Sequence, residues 1–335
     1  MRQLTKFGLF FLLSSLLLGC SSKKEVVLQP TAELPSWYTN PPANDAQWLK
    51  GVGSGKDVQS ATQEALNDML AKLSVRVESQ FSSEMSYSSH GFKETSKSQI
   101  RSEVANIRIS NYEVVAAEKI RFDQYVVLIR SDRNRFIRSL ADEISSGFKA
   151  IGHALTEAKN DNPIKRYRVT QQSLLDAKAL MPAIWMVSGI ASGFDAEGYR
   201  NYVLSLHSEQ EQQRRNLVFY LSSSFDDQSL LQPIRNALTD EGFLVAKTRM
   251  VDLGDLVSIE LKRESLYSEY SGIQVATVNI TLDTKDGAGN VIGSKLLSVK
   301  GHATQGYELA ESDAVNKFAA LIEQEGIEKI LGIGL

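Results

Sequence analysis

The run Trp48-Leu49-Lys50-Gly51-Val52-Gly53-Ser54-Gly55-Lys56-Asp57, followed by Ala61, Ala65, Leu66, Met69, Leu70 and Leu73, sets the architecture of the chain. Gln47 to Gly53 reads as a short strand entering a glycine turn. The apolar residues after it recur every three or four positions, which places them on one face of a helix. Ser60-Ala61-Thr62-Gln63 has the pattern of a capping box at that helix's start. From Val75 the period changes to two: Val75, Val77, Phe81, Met85 and Tyr87 alternate with Arg76, Glu78, Gln80, Glu84 and Ser86, as in a strand with one wet face. The glycines fit neither phosphate-binding pattern. A dinucleotide loop needs glycine where Lys56 stands; a phosphate loop needs glycine at position 50 and Ser or Thr at position 57, where Lys50 and Asp57 stand. Val52 likewise fills the place of the first glycine in a nucleophile elbow around Ser54. A tight strand-to-helix turn explains the glycines better.

Moving outward toward the C-terminus, Ser88 to Ser98 is serine-rich and reads as a loop, and Ile100 to Ile107 as a short helix. Tyr112 to Ile120 and Gln124 to Arg130 form a hairpin pattern around Arg121-Phe122-Asp123. Phe136, Ile137, Leu140, Ile144, Phe148, Ile151 and Leu155 keep helical spacing, Asn160-Asp161-Asn162-Pro163 interrupts it, and Leu174, Leu175, Ala177, Leu180, Ile184, Trp185 and Val187 resume it. An antiparallel helical hairpin follows from the short break, with Pro182 ending or kinking its second helix. Asp195 to Arg214 reads as a third helix. The last section reads as a strand over Leu217 to Leu221, a helix over Gln228 to Glu241 capped by Gly242, and strands over Phe243 to Ala246, Leu256 to Lys262, Ile273 to Leu282 and Val291 to Ala303. Lys285 to Asn290 is a turn. A closing helix uses Ala310, Ala314, Val315, Phe318, Ala319 and Ile322, spaced like the set beginning at Ala61; a duplicated plan and a coincidence of amphipathic helices both fit. The expected class is α+β, with two small antiparallel-sheet and helix domains over 45–131 and 216–335 joined by a helical segment over 132–215.

Toward the N-terminus, Arg2 and Lys6 precede the apolar run Phe7 to Cys20, and Ser21-Ser22-Lys23-Lys24 follows it, the order of a secretory signal. At ~1.5 Å per residue the apolar part spans about 18 Å, short of the ~30 Å of a bilayer's hydrocarbon. Leu17-Leu18-Gly19-Cys20 resembles the bacterial lipobox; an ordinary signal core containing a cysteine is the alternative. The resemblance implies cleavage between Gly19 and Cys20, a signal peptide over 1–19, and acyl chains, palmitate among them, on Cys20. Each buried methylene contributes ~0.8 kcal/mol, so stable anchoring takes more than one chain. By the same resemblance, Ser21 in place of aspartate implies the outer membrane, on its periplasmic or surface side. Cys20 is the only cysteine, which rules out an intramolecular disulfide. Residues 20–44 carry Pro30, Pro35, Pro41 and Pro42 and read as a semi-extended tether. From Ser21 to Pro35 it reaches up to ~50 Å when extended. Trp37, Tyr38 and Trp48 at its end fit an interfacial cluster, a carbohydrate contact, or docking of the tether on the first domain.

Pro35-Ser36-Trp37-Tyr38-Thr39-Asn40-Pro41-Pro42, then Trp48, then Gly51-Val52-Gly53-Ser54-Gly55, then the alanine-rich helix and a Val-x-Val strand resemble the LPP-twenty lipoprotein family over roughly 35–136. The resemblance implies an outer-membrane or surface lipoprotein without known catalysis, some of whose relatives build structures around the flagellar motor. The net charge of −3, nearer −5 without Arg2 and Lys6, argues against a nucleic-acid partner. No second apolar run is expected to span a membrane. His90, His153, His207 and His302 have no metal-ligand spacing, and Asp283, Asp286 and Asn290 fit a hairpin turn rather than a calcium loop. No catalytic, metal or cofactor residues are assigned. Arg130, Arg133, Arg135 and Arg138 form the one basic cluster, suited to lipid phosphates or an acidic surface, or to a solvated helix start. The function expected is a structural or interaction role for a lipid-anchored envelope protein, assembling with itself or with flagellar or envelope partners. The alternative is a periplasmic protein that binds a ligand or acts on peptidoglycan or lipid.

Overall fold

The computed structural model describes residues 33–85, 102–104, 106–224, 227–249 and 255–334. The signal core, Gly19, Cys20, His90 and the expected loop over 88–98 lie outside the described residues. A short helix α1 (Ser36–Thr39) leads into an antiparallel sheet of β1 (Trp48–Gly55), β2 (Glu113–Arg121) and β3 (Gln124–Asp132) in the order β1-β3-β2. Leu49, Gly51 and Gly53 stand opposite Ser131, Ile129 and Val127, and this face meets helix α2 (Val58–Met85). The glycines belong to the strand and not to a turn. A Cβ on Gly51 would lie 2.0 Å from the Ala65 carbonyl oxygen, and one on Gly53 2.2 Å from the Ala65 nitrogen. Glycine facing alanine lets the helix backbone rest directly on the strand.

The helix begins one turn before the expected capping box. Asp57 Oδ1 accepts from the Ser60 amide at 2.7 Å while Ser60 Oγ accepts from the Asp57 amide at 3.2 Å, a reciprocal pair that closes the helix start. The Ser60 amide, and the Ser60 hydroxyl donating to the same carboxyl at 2.8 Å, lower the Asp57 pKa. The strand expected from Val75 is instead a continuation of α2. Val75 is 49% exposed and Val77 2%, whereas on a strand the two would share a face. Inward spacing through Leu70, Leu73 and Val77 wins over the β preference of valine, because a helix of the next section packs on this segment.

That section comprises α3 (Arg133–Ala158), α4 (Pro163–Ala179), α5 (Met181–Ile190) and α6 (Ala196–Asn216). Helices α3 and α4 pack together as the expected hairpin. Asn162 accepts from the Lys165 amide at 3.0 Å, and Pro163 takes the first helical position, where its missing N–H costs nothing. Pro182 lies in the first turn of α5, so the break falls at Leu180. Phe136, Ile144, Leu174, Ile184, Met186 and Leu206 share one core with Leu49, Ala65 and Met69. Gly189 brings α5 close to α2, since a Cβ there would stand 2.7 Å from Val77 Cγ2. The helical run Pro163–Ile190 is, contrary to expectation, long and apolar enough by composition to cross a membrane, but 61% of its apolar window is buried inside the protein. The apolarity of α5 is that of a core helix, with Ile184, Met186 and Val187 enclosed.

The second sheet holds β4 (Leu217–Ser223), β5 (Leu244–Ala246), β6 (Asp255–Tyr270), β7 (Ile273–Lys285) and β8 (Val291–Ala303) in the order β5-β4-β6-β7-β8. It is mixed: β4 runs parallel to β5 and β6, and the other pairs are antiparallel. The parallel step from β4 to β5 is made by helix α7 (Gln228–Asp240), which ends where expected, with Gly242 at φ +82°. Ser271 and Gly272, at φ 51° and 77°, turn the β6–β7 hairpin. Helices α8 (Tyr307–Glu325) and α9 (Ile327–Leu331) close the chain over a second core of Phe219, Ile234, Leu238, Val257, Ile280 and Phe318. A Cβ on Gly301 of β8 would stand 1.8 Å from the Ala310 carbonyl oxygen, repeating the approach of Gly51 to Ala65. Ala61, Ala65, Met69, Leu73 and Ala310, Ala314, Phe318, Ile322 share that packing: each set is buried where a helix lies back on the strand before it.

Candidate functional site

The second face of the first sheet carries Trp48, Lys50 and Val52 opposite Asp132, Arg130 and Leu128. α1 packs on β3, and Trp37 Nε1 donates to Glu118 Oε1 at 3.2 Å. Val126 on this face is fully buried and Leu128 nearly so. Trp37 thus docks the tether, forming a strap across the sheet, and Tyr38 meets it edge-on at 6.2 Å. Past the strap, Asp45 accepts from the amides of Gln47 at 2.8 Å and Trp48 at 2.7 Å and from Lys50 Nζ at 2.7 Å. The Lys50 bond first, then the two amides, hold its carboxyl down to about 2.

Trp48 does not join the strap. It lines a cleft of about 470 Å³ with Ser110, Asn111, Tyr112, Glu113, Arg130, Asp132, Arg135 and Arg138. The Arg130 guanidinium lies 4.2 Å over the Trp48 ring, and its Nε donates to Glu113. Stacking and ion pair together fix where that cation points. Ser131, 1% exposed, donates to the Asn111 carbonyl at 2.5 Å, which pins the loop at the cleft's edge. Asp132 accepts from the Arg135 amide at 2.8 Å and caps α3.

The basic cluster divides by role. Arg133 is structural: its guanidinium donates to the Ile190 carbonyl at 2.7 Å and the Asp45 carbonyl at 3.3 Å, tying α5 to the strap's exit. Arg135 and Arg138, three apart on α3, are exposed on the cleft and make no ion pair with a described residue. Of the two carboxylates present, one is committed to Arg130 and the other to a helix cap. The arrangement suits recognition of an anion. Sequence alone separates Trp48 from Arg130; only the β1–β3 register, Trp48 opposite Asp132, brings them together.

Other residues weighed from sequence are held elsewhere. His153 lies 3.4 Å from Glu157, and His302 Nδ1 3.3 Å from Lys317 Nζ. Asp286 accepts from the Ala288 and Asn290 amides at 3.0 and 2.8 Å, as a turn residue does, and Asp283 accepts from Ser294 at 2.7 Å. Among the described residues no group of three His, Cys, Asp or Glu is placed to hold a metal ion.

The LPP20 (LPP-twenty) lipoprotein family model matches residues 35–132. The match opens at the strap and closes at the end of β3, so it spans one sheet with its helix and leaves the second sheet outside. Among solved structures the chain is similar to a secreted protein of Helicobacter pylori, at 14% identity and TM-score 0.46, covering 84% of this chain and 99% of that one. It is also similar to a minor lipoprotein of Acinetobacter baumannii, at 14% identity and TM-score 0.29, covering 35% of this chain and 96% of that one. No curated protein matches.

Proposed function

We propose that this chain, whose residues 35–132 match the LPP20 lipoprotein family, is a lipid-anchored bacterial envelope protein with a structural or interaction role and no catalytic activity of its own. The observation that carries this reading is the place where the match begins: residue 35, in the strap that follows the lipobox-like Leu17-Leu18-Gly19-Cys20. A processed chain would start at acylated Cys20, cross a short tether and enter the fold through Trp37. Ser21 after the cysteine supports the outer membrane as destination. The second sheet presents β8, thirteen residues long, as an edge strand, and the first presents β2 in the same way. Such edges support assembly with further copies or with envelope partners, flagellar components among them.

The test is mild chemical crosslinking of intact envelopes, with pull-down through this protein and mass spectrometry. The reading predicts self-crosslinked ladders or recurrent envelope partners. A lone monomer recovered with glycan or lipid in place of protein would contradict the structural role.

A further inference from the structure

We infer that the cleft between Trp48, Arg130, Arg135 and Arg138 binds a phosphate group, supplied by lipid headgroups at the surface that anchors the chain or by a free phosphate compound. Three guanidinium groups converge on one cavity of about 470 Å³, large enough for a headgroup-sized ligand. Arg130 is already oriented, its guanidinium 4.2 Å over Trp48 and its Nε on Glu113. Arg135 and Arg138 stand one turn apart on α3 with no carboxylate partner among the described residues, so both planar forks remain available. The number of forks favours phosphate over a carboxylate. Two carboxylate oxygens saturate one guanidinium, whereas a phosphate has enough charge and oxygens to engage two. Asn111 and Tyr112 add polar groups at the rim, on a loop pinned by buried Ser131.

The cleft's position favours lipid as the source, and this part rests on the anchored reading proposed above. Glu118, where the strap docks through Trp37, stands opposite Val126; Val126 and Arg130 lie on the same face of β3, four positions or about 13 Å apart. The face that receives the tether is therefore the face that carries the cleft.

The experiment uses the mature chain with Cys20→Ser, so that its outcome does not depend on lipidation and failure of the anchor leaves it interpretable. Sedimentation with phosphatidylcholine vesicles, with and without about a third phosphatidylglycerol, is paired with calorimetric titration of inorganic pyrophosphate. The cleft variant is Arg135→Gln/Arg138→Gln; the charge-matched control is Lys149→Gln/Arg215→Gln, with Lys149 about 16 Å beyond Arg138 along α3. Circular dichroism confirms that both fold. Removing two surface-facing cations is expected to weaken binding to anionic vesicles about thirtyfold in the cleft variant, and far less in the control. That result assigns the site to lipid phosphate. Pyrophosphate binding that the cleft variant loses, without vesicle binding, assigns it to a soluble phosphate compound. Equal losses in the two variants, or binding to neither probe, overturn the inference.

Discussion

Gly301 and Gly152 are expected to respond oppositely to the same added methyl group. At Gly301 a Cβ would stand 1.8 Å from one backbone atom of α8 and 2.4 Å from another, so α8 must lift from β8. Gly301→Ala is expected to cost about 1–3 kcal/mol or more. At Gly152, within α3, a Cβ meets nothing within 4 Å, and Gly152→Ala is expected to stabilise by about 1 kcal/mol through helix propensity. Urea titrations of the two variants check both signs. Asp45 makes stability depend on pH. Its carboxyl is held from 3.8 down to about 2, first by Lys50 and then by two amides. A depressed folded value means that its contribution is complete above the ordinary carboxylate range and is lost as pH falls toward 2. Asp45→Asn is expected to flatten the acid limb of stability between about pH 4 and 2, read from urea midpoints across that window. Residue chemistry was legible in part. The glycines of β1 were visible as exceptional, but a turn and a close helix contact demand the same residue, and only the Ala65 carbonyl beside Gly51 separates them.

At the scale of elements, the strap makes the tether part of the fold. Trp37 donates to Glu118 on β2 while α1 covers β3, over a face where Val126 is fully buried. Trp37→Ala is expected to cost about 1–3 kcal/mol and to speed amide exchange along β3, leaving β7 unaffected. Hydrogen exchange resolved by segment distinguishes this from a tether lying free, for which β3 would be unchanged. The elements themselves were mostly legible, because proline and asparagine at 162–163, Pro182 and Gly242 punctuate the chain where the helices do start and stop. The second half of α2 was not. Val75 and Val77 alternate with charged residues as a strand would, and the helix persists because Val77 packs against Gly189, more than a hundred residues away. The cleft was half legible: its arginines stand together in sequence, but Trp48 joins them through strand register, and Arg133 leaves them for the Ile190 carbonyl.

At the scale of the whole molecule, α4 connects two cores. Ile164 and Tyr167 at its start belong to the second core, and Leu174 and Ala177 near its end to the first. An ion pair of Arg166 with Asp255 at 2.7 Å fixes the start of the helix to the second sheet. The family match covers the first sheet with its strap, and the second sheet and the helices between lie outside it. As proposed above, this body hangs from a membrane by acylated Cys20. The mass of the N-terminal peptide of the protein purified from membranes, read alongside fractionation of Cys20→Ser, tests this attachment. A chain beginning at Cys20 with acyl mass on its sulfur and amine is expected, together with a folded Cys20→Ser protein released from the membrane fraction. An N-terminus elsewhere without acyl mass, or a Cys20→Ser protein that still fractionates as an integral membrane component, would contradict it.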